Sequence, residues 1–405
     1  MPSPVLTLAI LIAGFSLMQM SNGLQGTLLA VRAGIEGFGA LSTGLIMSGF
    51  FAGMSLGSLI APRLIDSVGH IRTFAALASL ASAAALLHLT FVDPMVWIGV
   101  RSLTGFAFAG LIIVTESWLN ASVSSARRGR LLSIYGMAGM AAGAAGQFLL
   151  NLADPATFAL FVLVSILMSM ALVPISLVRI EAPRPEEAQE LPSLRRLWSV
   201  SPYGTVAAAL IGASIGTFYG LAPLFAQNLG HPESRIAAFI ALFTIGGLLL
   251  QFPLGWLSDR MSRRGLGIAV SIAGALLMLA TLSITSPVAP TLLWISFAVG
   301  GLVLPAQAIA VAHVHDRAPA SALLSVTGGL VLMQGIGAAF GPLLAGALMD
   351  LIGPRGLPIS LALLQMAIAG WGLLRITSRS DPESRERRAA RPLTPHPVEG
   401  DLSRE

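Results

Sequence analysis

Twelve stretches of this chain are apolar for long enough to cross a bilayer, and only short turns separate most of them. By turn charges and Gly/Pro punctuation they run near 5–30, 38–61, 71–92, 95–121, 130–152, 156–179, 203–228, 235–257, 265–286, 289–314, 320–349 and 356–377. A helix needs about 20 apolar residues to span hydrocarbon. Lipid offers a backbone no hydrogen-bond partners, so chains of such spans must close their own N–H and C=O groups as helices. Composition points the same way. Of 405 residues, 55% are hydrophobic and 11% charged, against about 25% charged in soluble domains. The expected fold class is an all-α polytopic membrane protein with twelve transmembrane helices. The apolar N-terminus lacks a basic leader and reads as the first span, not as a cleaved signal peptide.

Charge fixes the expected orientation. All 24 basic residues are Arg. Arg32, Arg235 and Arg355 fall in turns on one side, Arg101 lies inside a span, and the other 20 fall on the opposite side with both termini. The positive-inside rule makes that arginine-rich side cytoplasmic, which implies a multi-pass protein of the inner (plasma) membrane. The other side carries Asp93, Asp154, Glu233 and Asp350. The arginines flank apolar spans, so nucleic acid is not an expected partner; the lipid bilayer is. The chain has no Cys, which excludes disulfides and thiolate metal sites. It has no phosphate-binding Gly-rich loop and no HExxH. No enzyme, metal or organic cofactor is expected, and a proton gradient is the one energy source left open.

A Pro/Glu/Arg-rich segment, 180–202, reads as a solvated cytoplasmic linker. It divides the chain into 1–179 and 203–377, six spans each, and 378–405 reads as a disordered cytoplasmic tail. The halves share lettering. Gly255-Trp-Leu-Ser-Asp259-Arg260-Met-Ser-Arg263-Arg264 recurs in degraded form as Asp66-Ser-Val-Gly69-His70-Ile-Arg72, preceded by Gly53, Gly57 and Arg63, with Asp259 lying 193 positions after Asp66. Small residues also recur in corresponding spans, as Gly136, Gly139, Gly143 and Gly146, then Gly335, Gly337, Gly341 and Gly346. Such spacing lets helix backbones approach closely in lipid. The pattern is that of a duplicated membrane protein.

These residues resemble the major facilitator superfamily. The 255–264 and 66–72 segments are similar to that family's paired loop signature. Arg101-Ser-Leu-Thr-Gly105 resembles its intramembrane Arg motif, and Arg127-Arg128-Gly129-Arg130 its loop after the fourth span. Gly337-Ala-Ala-Phe-Gly341-Pro342 is similar to a Gly-Pro hinge that many antiporters carry in the fifth span. Here the fifth span has Gln147 in place of the Pro, so an antiport label does not carry over. Glu116-Ser-Trp-Leu-Asn120, Gly69-His-Ile-Arg72 and His315-Asp-Arg317 look like the YcaD-like branch. The resemblance covers about residues 5–377. It implies two six-helix bundles related by a pseudo-two-fold axis. A substrate site would lie between them, lined mainly by the first, fourth, seventh and tenth spans, and would work by alternating access. The implied function is secondary transport of a small molecule, by a protein able to act as a monomer. A transport-inactive receptor or assembly protein on the same fold, or an uncoupled facilitator, is the alternative.

Charges inside spans cost about 2.5–3.5 kcal/mol on insertion scales, so Arg101 and Glu116 stand out. They lie 15 positions apart on one helix, about 22 Å by helical rise, and cannot pair directly. Two readings of Arg101 stand: an anion-binding or pKa-tuning group, or a structural Arg bonded to carbonyls. Glu116 is either a proton-coupling carboxylate or a gate salt bridge to Arg72 or Arg130. The family often places an acid five positions later, where this chain has Ala121. Gln19, Asn22 and Gln25 give the first span a polar face, for substrate or for interhelical bonds; no acid accompanies them. Tyr219 and Gln307 are the C-terminal candidates, while Gln147 reads as helix glue. The paired loops, with Arg63, Asp66, Gly69, Arg72, Arg130, Gly255, Asp259, Arg260, Arg263 and Arg264, read as gate elements, their aspartates expected near helix N-termini. Gly337, Gly341 and Pro342 read as a hinge. His88 is expected at the outer interface, His313 and His315 in a solvated turn, and Trp97, Trp198, Trp256, Trp294 and Trp371 in an aromatic belt.

Overall fold

The computed structural model describes residues 4–122, 125–177, 193–284 and 290–378. Its described regular structure is helical. The helices are α1 (Pro4–Ile35), α2 (Ala40–Val68), α3 (His70–Thr90), α4 (Pro94–Ala121), α5 (Ser125–Phe148), α6 (Ala159–Leu177), α7 (Leu194–Val200), α8 (Pro202–Asn228), α9 (Glu233–Arg260), α10 (Arg263–Ala280), α11 (Thr291–His315), α12 (Leu323–Ile352) and α13 (Gly356–Ser378). All but α7 are 18 to 32 residues long, and these twelve correspond to the twelve expected spans. Eight described stretches are long and apolar enough to cross a membrane by themselves, one of them running through α12 and α13.

Local chemistry sets the helix ends. Asp93 accepts from the Met95 and Val96 amides, with Pro94 at the first helical position. Ser201 and Pro202 do the same for α8; these are the preferred N-cap and N1 residues. Gly69 ends α2 at φ 86°, a backbone state open to glycine. At the matching place in the second half Ser262 caps α10 instead.

Two sequence expectations need correction. Arg63, Asp66, Asp259 and Arg260 lie within the last turns of α2 and α9, not in turns. Asp and Arg are compatible with helix at a water-facing end, and nothing before Gly69 or Met261 stops the helix. The linker is also not wholly solvated. Ser193 caps α7, and Leu197 is fully buried against Ala208, Val314, Val326 and Leu330. Two helical turns were too short to show a periodic signal. Residues 180–192 and the tail from 379 lie outside the described residues.

The packing repeats between halves. In the first, α2 packs on α4, α1 on α5 and α6, and α3 on α4 and α6. In the second, α9 packs on α11, α8 on α12 and α13, and α10 on α11 and α13. The glycines show why. A Cβ on Gly53 would lie 1.9 Å from the Ser102 carbonyl oxygen, and one on Gly105 equally close to that of Phe50. Gly246 meets Phe297, and Gly300 meets Phe243, at the same 1.9 Å. These pairs lie 193 and 195 positions apart. Each half is therefore built on one backbone-to-backbone crossing that only glycine permits.

Between the halves, α2 packs on α12, α5 on α9, and α1 and α2 on α8. The close approaches run from the acidic end toward the middle. Gly346 sits on the Ala40 carbonyl, Gly44 on that of Pro342, and Gly335 beside the Ser55 hydroxyl. The Asp350 carboxylate crosses the interface and accepts from the Ala40 and Leu41 amides at 2.8 and 3.0 Å. An anion at a helix N-terminus is favoured by both the free amides and the dipole. Among the described residues, α4 and α11 do not pack extensively on each other.

Candidate functional site

A cavity of about 300 Å³ lies between the bundles, directly behind this closed end. That is the small end of the range for ligand sites, about 300–1,000 Å³. Helix α1 contributes Gln19, Asn22 and Thr27, α4 Arg101, and α5 Gln147. From α2 come Met47, Phe50, Phe51 and Met54. The second half adds Ile215 and Tyr219 from α8 and Thr244 from α9. Glycines 23, 26, 139, 143 and 220 bring backbone to the wall. The cavity is an apolar box with a polar wall on α1, α4 and α5.

Arg101 is the charged group on that wall, and it is 4% exposed. Its Nη1 donates to Gln25 Oε1 at 3.0 Å, and the Phe50 ring lies 4.2 Å from its guanidinium carbon. The Nε–H has no partner, and neither do Gln19 Oε1, Asn22 Oδ1 or Gln25 Nε2. The Thr27 hydroxyl donates to Gln147 Oε1. Across the cavity, the Tyr219 and Thr244 hydroxyls are 2.8 Å apart.

The sequence candidates separate. Gln19, Asn22, Arg101 and Tyr219 line the cavity, and Gln25 stands behind as the partner of Arg101. Gln307 does not reach it. Its amide Nε2 donates to Gln334 Oε1 on α12, so the polar face of α11 is closed within its own bundle. The expected four-helix lining is corrected accordingly: α1, α4 and α8 contribute, α11 does not, and α2, α5 and α9 do. Gln147, read as helix glue, bonds a neighbouring helix and faces the cavity as well. Thr27 and Thr244 carry no sequence signal that separates them from other span threonines.

Glu116 lies outside the cavity, half-buried near the arginine end of α4. Among the described residues neither Arg72 nor Arg130 pairs with it, and both are exposed. Gly337 and Gly341 press on the Ala209 and Ala213 carbonyls of α8. Pro342 follows inside α12, where its carbonyl meets Gly44 of the other bundle.

The paired corners at the arginine end differ. In the second half, Arg263 bridges Asp259 at 3.4 Å and Asp316 at 3.2 Å. Arg264 donates to the Arg375 carbonyl at 3.1 Å, and Arg260 stacks 3.5 Å above Trp256. Asp259 is 73% exposed and pairs with the first residue of α10, close to the expected helix start. Gly255 stands open, with nothing within reach of an added Cβ. In the first half, Arg63, Asp66, Arg72 and Arg130 are exposed, and no ion pair joins them among the described residues. The corner is held instead by His70, whose Nε2 lies 3.0 Å from Ser117 Oγ and whose ring packs on Trp118.

Three other expectations fail on burial. His88 is buried between Trp97 and Phe161. His313 is buried against Tyr203. Trp97 turns inward and donates to the Phe91 carbonyl. Each sits at a span end by sequence but on the bundle side of its helix, a distinction that weak amphipathicity hides. Trp198, Trp256 and Trp294 are exposed, as a belt requires.

Comparison with known proteins agrees with this architecture. The sequence model of the Major Facilitator Superfamily matches residues 10–239 and 204–403. An uncharacterized MFS-type transporter of Yersinia pestis is 26% identical over 347 residues, 84% of this chain and 88% of that protein. The uncharacterized MFS-type transporter YcaD of Escherichia fergusonii is 27% identical over the same shares. Among solved structures, the nucleoside transporter NupG superposes with a TM-score of 0.75 at 12% identity, covering 92% of this chain and 99% of that one. A bacterial homolog of the human lysosomal transporter Spinster, inward-facing and occupied, gives 0.77 at 13%, covering 94% and 99%. The likeness to YcaD and the paired-loop motifs agree, and the chain belongs to the Major Facilitator Superfamily of membrane transporters.

Proposed function

We propose that this chain is a secondary transporter that carries a small molecule through the central cavity by alternating access. The observation that carries the reading is the one-sided closure. Both bundles supply the cavity wall, and the Asp350 cap and the α2–α12 glycine contacts seal one end. The distribution of 20 arginines makes the other end cytoplasmic, with both termini on that side of the inner membrane. The state described here is then inward-open. In the opposite state the Asp350 contact breaks and the arginine-end corners close on each other. A monomer contains the whole path.

Glu116 is the proton-coupling candidate within this reading. It is the acid placed deepest in the arginine half of α4, and no described ion pair occupies it. The α12 segment with Gly337, Gly341 and Pro342 is the hinge, because it touches both α8 of its own bundle and α2 of the other.

Counterflow in proteoliposomes tests the proposal. Vesicles loaded with an unlabelled solute panel should accumulate the labelled member that the protein carries, saturably, and Glu116→Gln should remove acceleration by a pH gradient. Protein that is folded and inserted yet carries nothing would instead fit a transport-inactive receptor on this fold. Flux unaltered by Glu116→Gln in a pH gradient would leave an uncoupled facilitator or move the coupling elsewhere.

A further inference from the structure

We infer that the ligand of the central cavity is a small organic monoanion with an apolar body, its carboxylate bound by Arg101. The assignment rests on the cavity being the substrate site and names the substrate class that fits it.

The argument starts from an uncompensated charge. A guanidinium carries five N–H donors and stays protonated. Buried cations are ordinarily paired, because an isolated charge in an apolar setting is costly. Arg101 is 4% exposed, and its described partners are neutral: the Gln25 carbonyl oxygen and the face of Phe50. Its Nε–H is unpartnered, and no carboxylate lines the cavity. The fork of donors that remains suits a carboxylate, which guanidinium binds in bidentate geometry.

The rest of the wall limits what the anion is attached to. No second cation lines the cavity, so a dianion would bring one charge that nothing balances. Gln19 Oε1 and Asn22 Oδ1 are buried acceptors without partners on the same wall. They suit a donor on the ligand, such as a hydroxyl or amide N–H. Phe50, Phe51, Met54 and Phe108 face the remaining space, and aromatic and thioether side chains favour aromatic or branched aliphatic bodies. The pseudo-symmetric position of Arg101 in the second half is Ser296, which is buried and bonded to the Phe239 carbonyl. Only one bundle carries the cation. The anion head therefore stays with the first bundle while its body meets Tyr219 and Ile215 on the second.

The test uses purified full-length protein and matched compounds. Benzoate, phenylacetate, 3-phenylpropionate, indole-3-acetate and 4-methylpentanoate are each compared with the primary amide and the amine of the same carbon frame, by thermal shift and equilibrium binding. The acids should stabilise the wild-type protein saturably while their amides and amines do not. Arg101→Gln should weaken acid binding about tenfold or more, the scale of a charged hydrogen bond, and Arg101→Lys should weaken it less. The acid-against-amide contrast on wild type decides the matter even if Arg101→Gln fails to fold. Amides or amines binding as well as acids, acid binding intact in folded Arg101→Gln, or no acid binding at all would overturn the inference. The same compounds in counterflow separate the two claims. Acid binding without flux contradicts transport and keeps the anion site. Flux of neutral solutes indifferent to Arg101→Gln keeps transport and removes the site.

Discussion

The two halves are alike where their helices cross and unlike where their corners turn. Gly53 and Gly105 in one half, and Gly246 and Gly300 in the other, press on opposing carbonyls at the same distance. At the arginine-end corners the chemistry diverges. Arg263 ties Asp259 to Asp316. Its counterpart 193 positions earlier is His70, and the counterpart of Asp316, 195 positions earlier, is Ala121. Two of the three members of the ionic tie, Arg263 and Asp316, lack ionic counterparts in the first half, and Asp66 alone remains. In their place His70 bonds Ser117 and packs on Trp118, which packs in turn on Phe74. Backbone crossings leave no room for substitution, whereas a corner needs only some fastening. An ion pair and a buried ring cluster both serve, and they respond differently to salt and to truncation. The degraded loop motif of the first half is thus a change of fastening, from charge to packing.

Several substitutions probe that contrast, beginning with the largest effect. Trp118→Ala removes a fully buried ring from the first corner and should cost about 3–5 kcal/mol, read as a large fall in Tm. A small fall would mean that packing does not hold this corner. Gly53→Val and Gly246→Val should cost about 3 kcal/mol each, at the upper end for overpacking, and equally, since the crossings match. Unequal losses would break the symmetry argument. Asp350→Asn removes the charge and one of the two acceptors at the α2 N-terminus and should cost the closed end about 1 kcal/mol, roughly a fivefold shift toward the state open at the acidic end. Distance distributions between spin labels at that end would show it. Arg263→Ala should cost about 1 kcal/mol, because its pair with Asp259 is mostly exposed and screened and its pair with Asp316 only partly so. Raising salt should erase much of the difference from wild type, and salt should leave the first corner nearly unchanged. The smallest effect belongs to His70→Arg with Ala121→Asp, which restores the ionic tie. The gained ion pair, worth about 1 kcal/mol or less, should offset the lost His70–Ser117 bond of about 1 kcal/mol, leaving stability within about 1 kcal/mol of wild type, and give the first corner the salt response of the second.

Much of this organisation was legible in the chain. Spans, duplication and the isolated Arg101 are visible because charge is so scarce that each one marks a place. The cavity wall was not. Phe51 and Met54 line it while Phe252 is 82% exposed on the outer surface of α9, and both classes read as the same apolar letters. In lipid a helix can be apolar all round, so periodicity does not tell a cavity face from a lipid face. The same ambiguity misplaced His88, His313 and Trp97. Gln307 failed for another reason: it is polar and on the expected span, but its amide Nε2 is taken up by Gln334, and only packing reveals the partner. Gln147 was undervalued because a glutamine can bond a neighbour with one end and face a cavity with the other.

The absence of Cys permits the most direct test of the alternating-access account. Single cysteines at Met54 and Met140 place a thiol on the cavity wall, and a third at Leu351 marks the acidic surface, where that residue is 79% exposed. Membrane-impermeant maleimide is applied to right-side-out and inside-out vesicles. The account predicts that the cavity cysteines react mainly from the cytoplasmic face and Leu351→Cys only from the opposite one. It also predicts that adding Asp350→Asn makes the cavity cysteines reactive from the outside as well. Cavity cysteines reactive only from the outer face, or from neither face in either background, would contradict it.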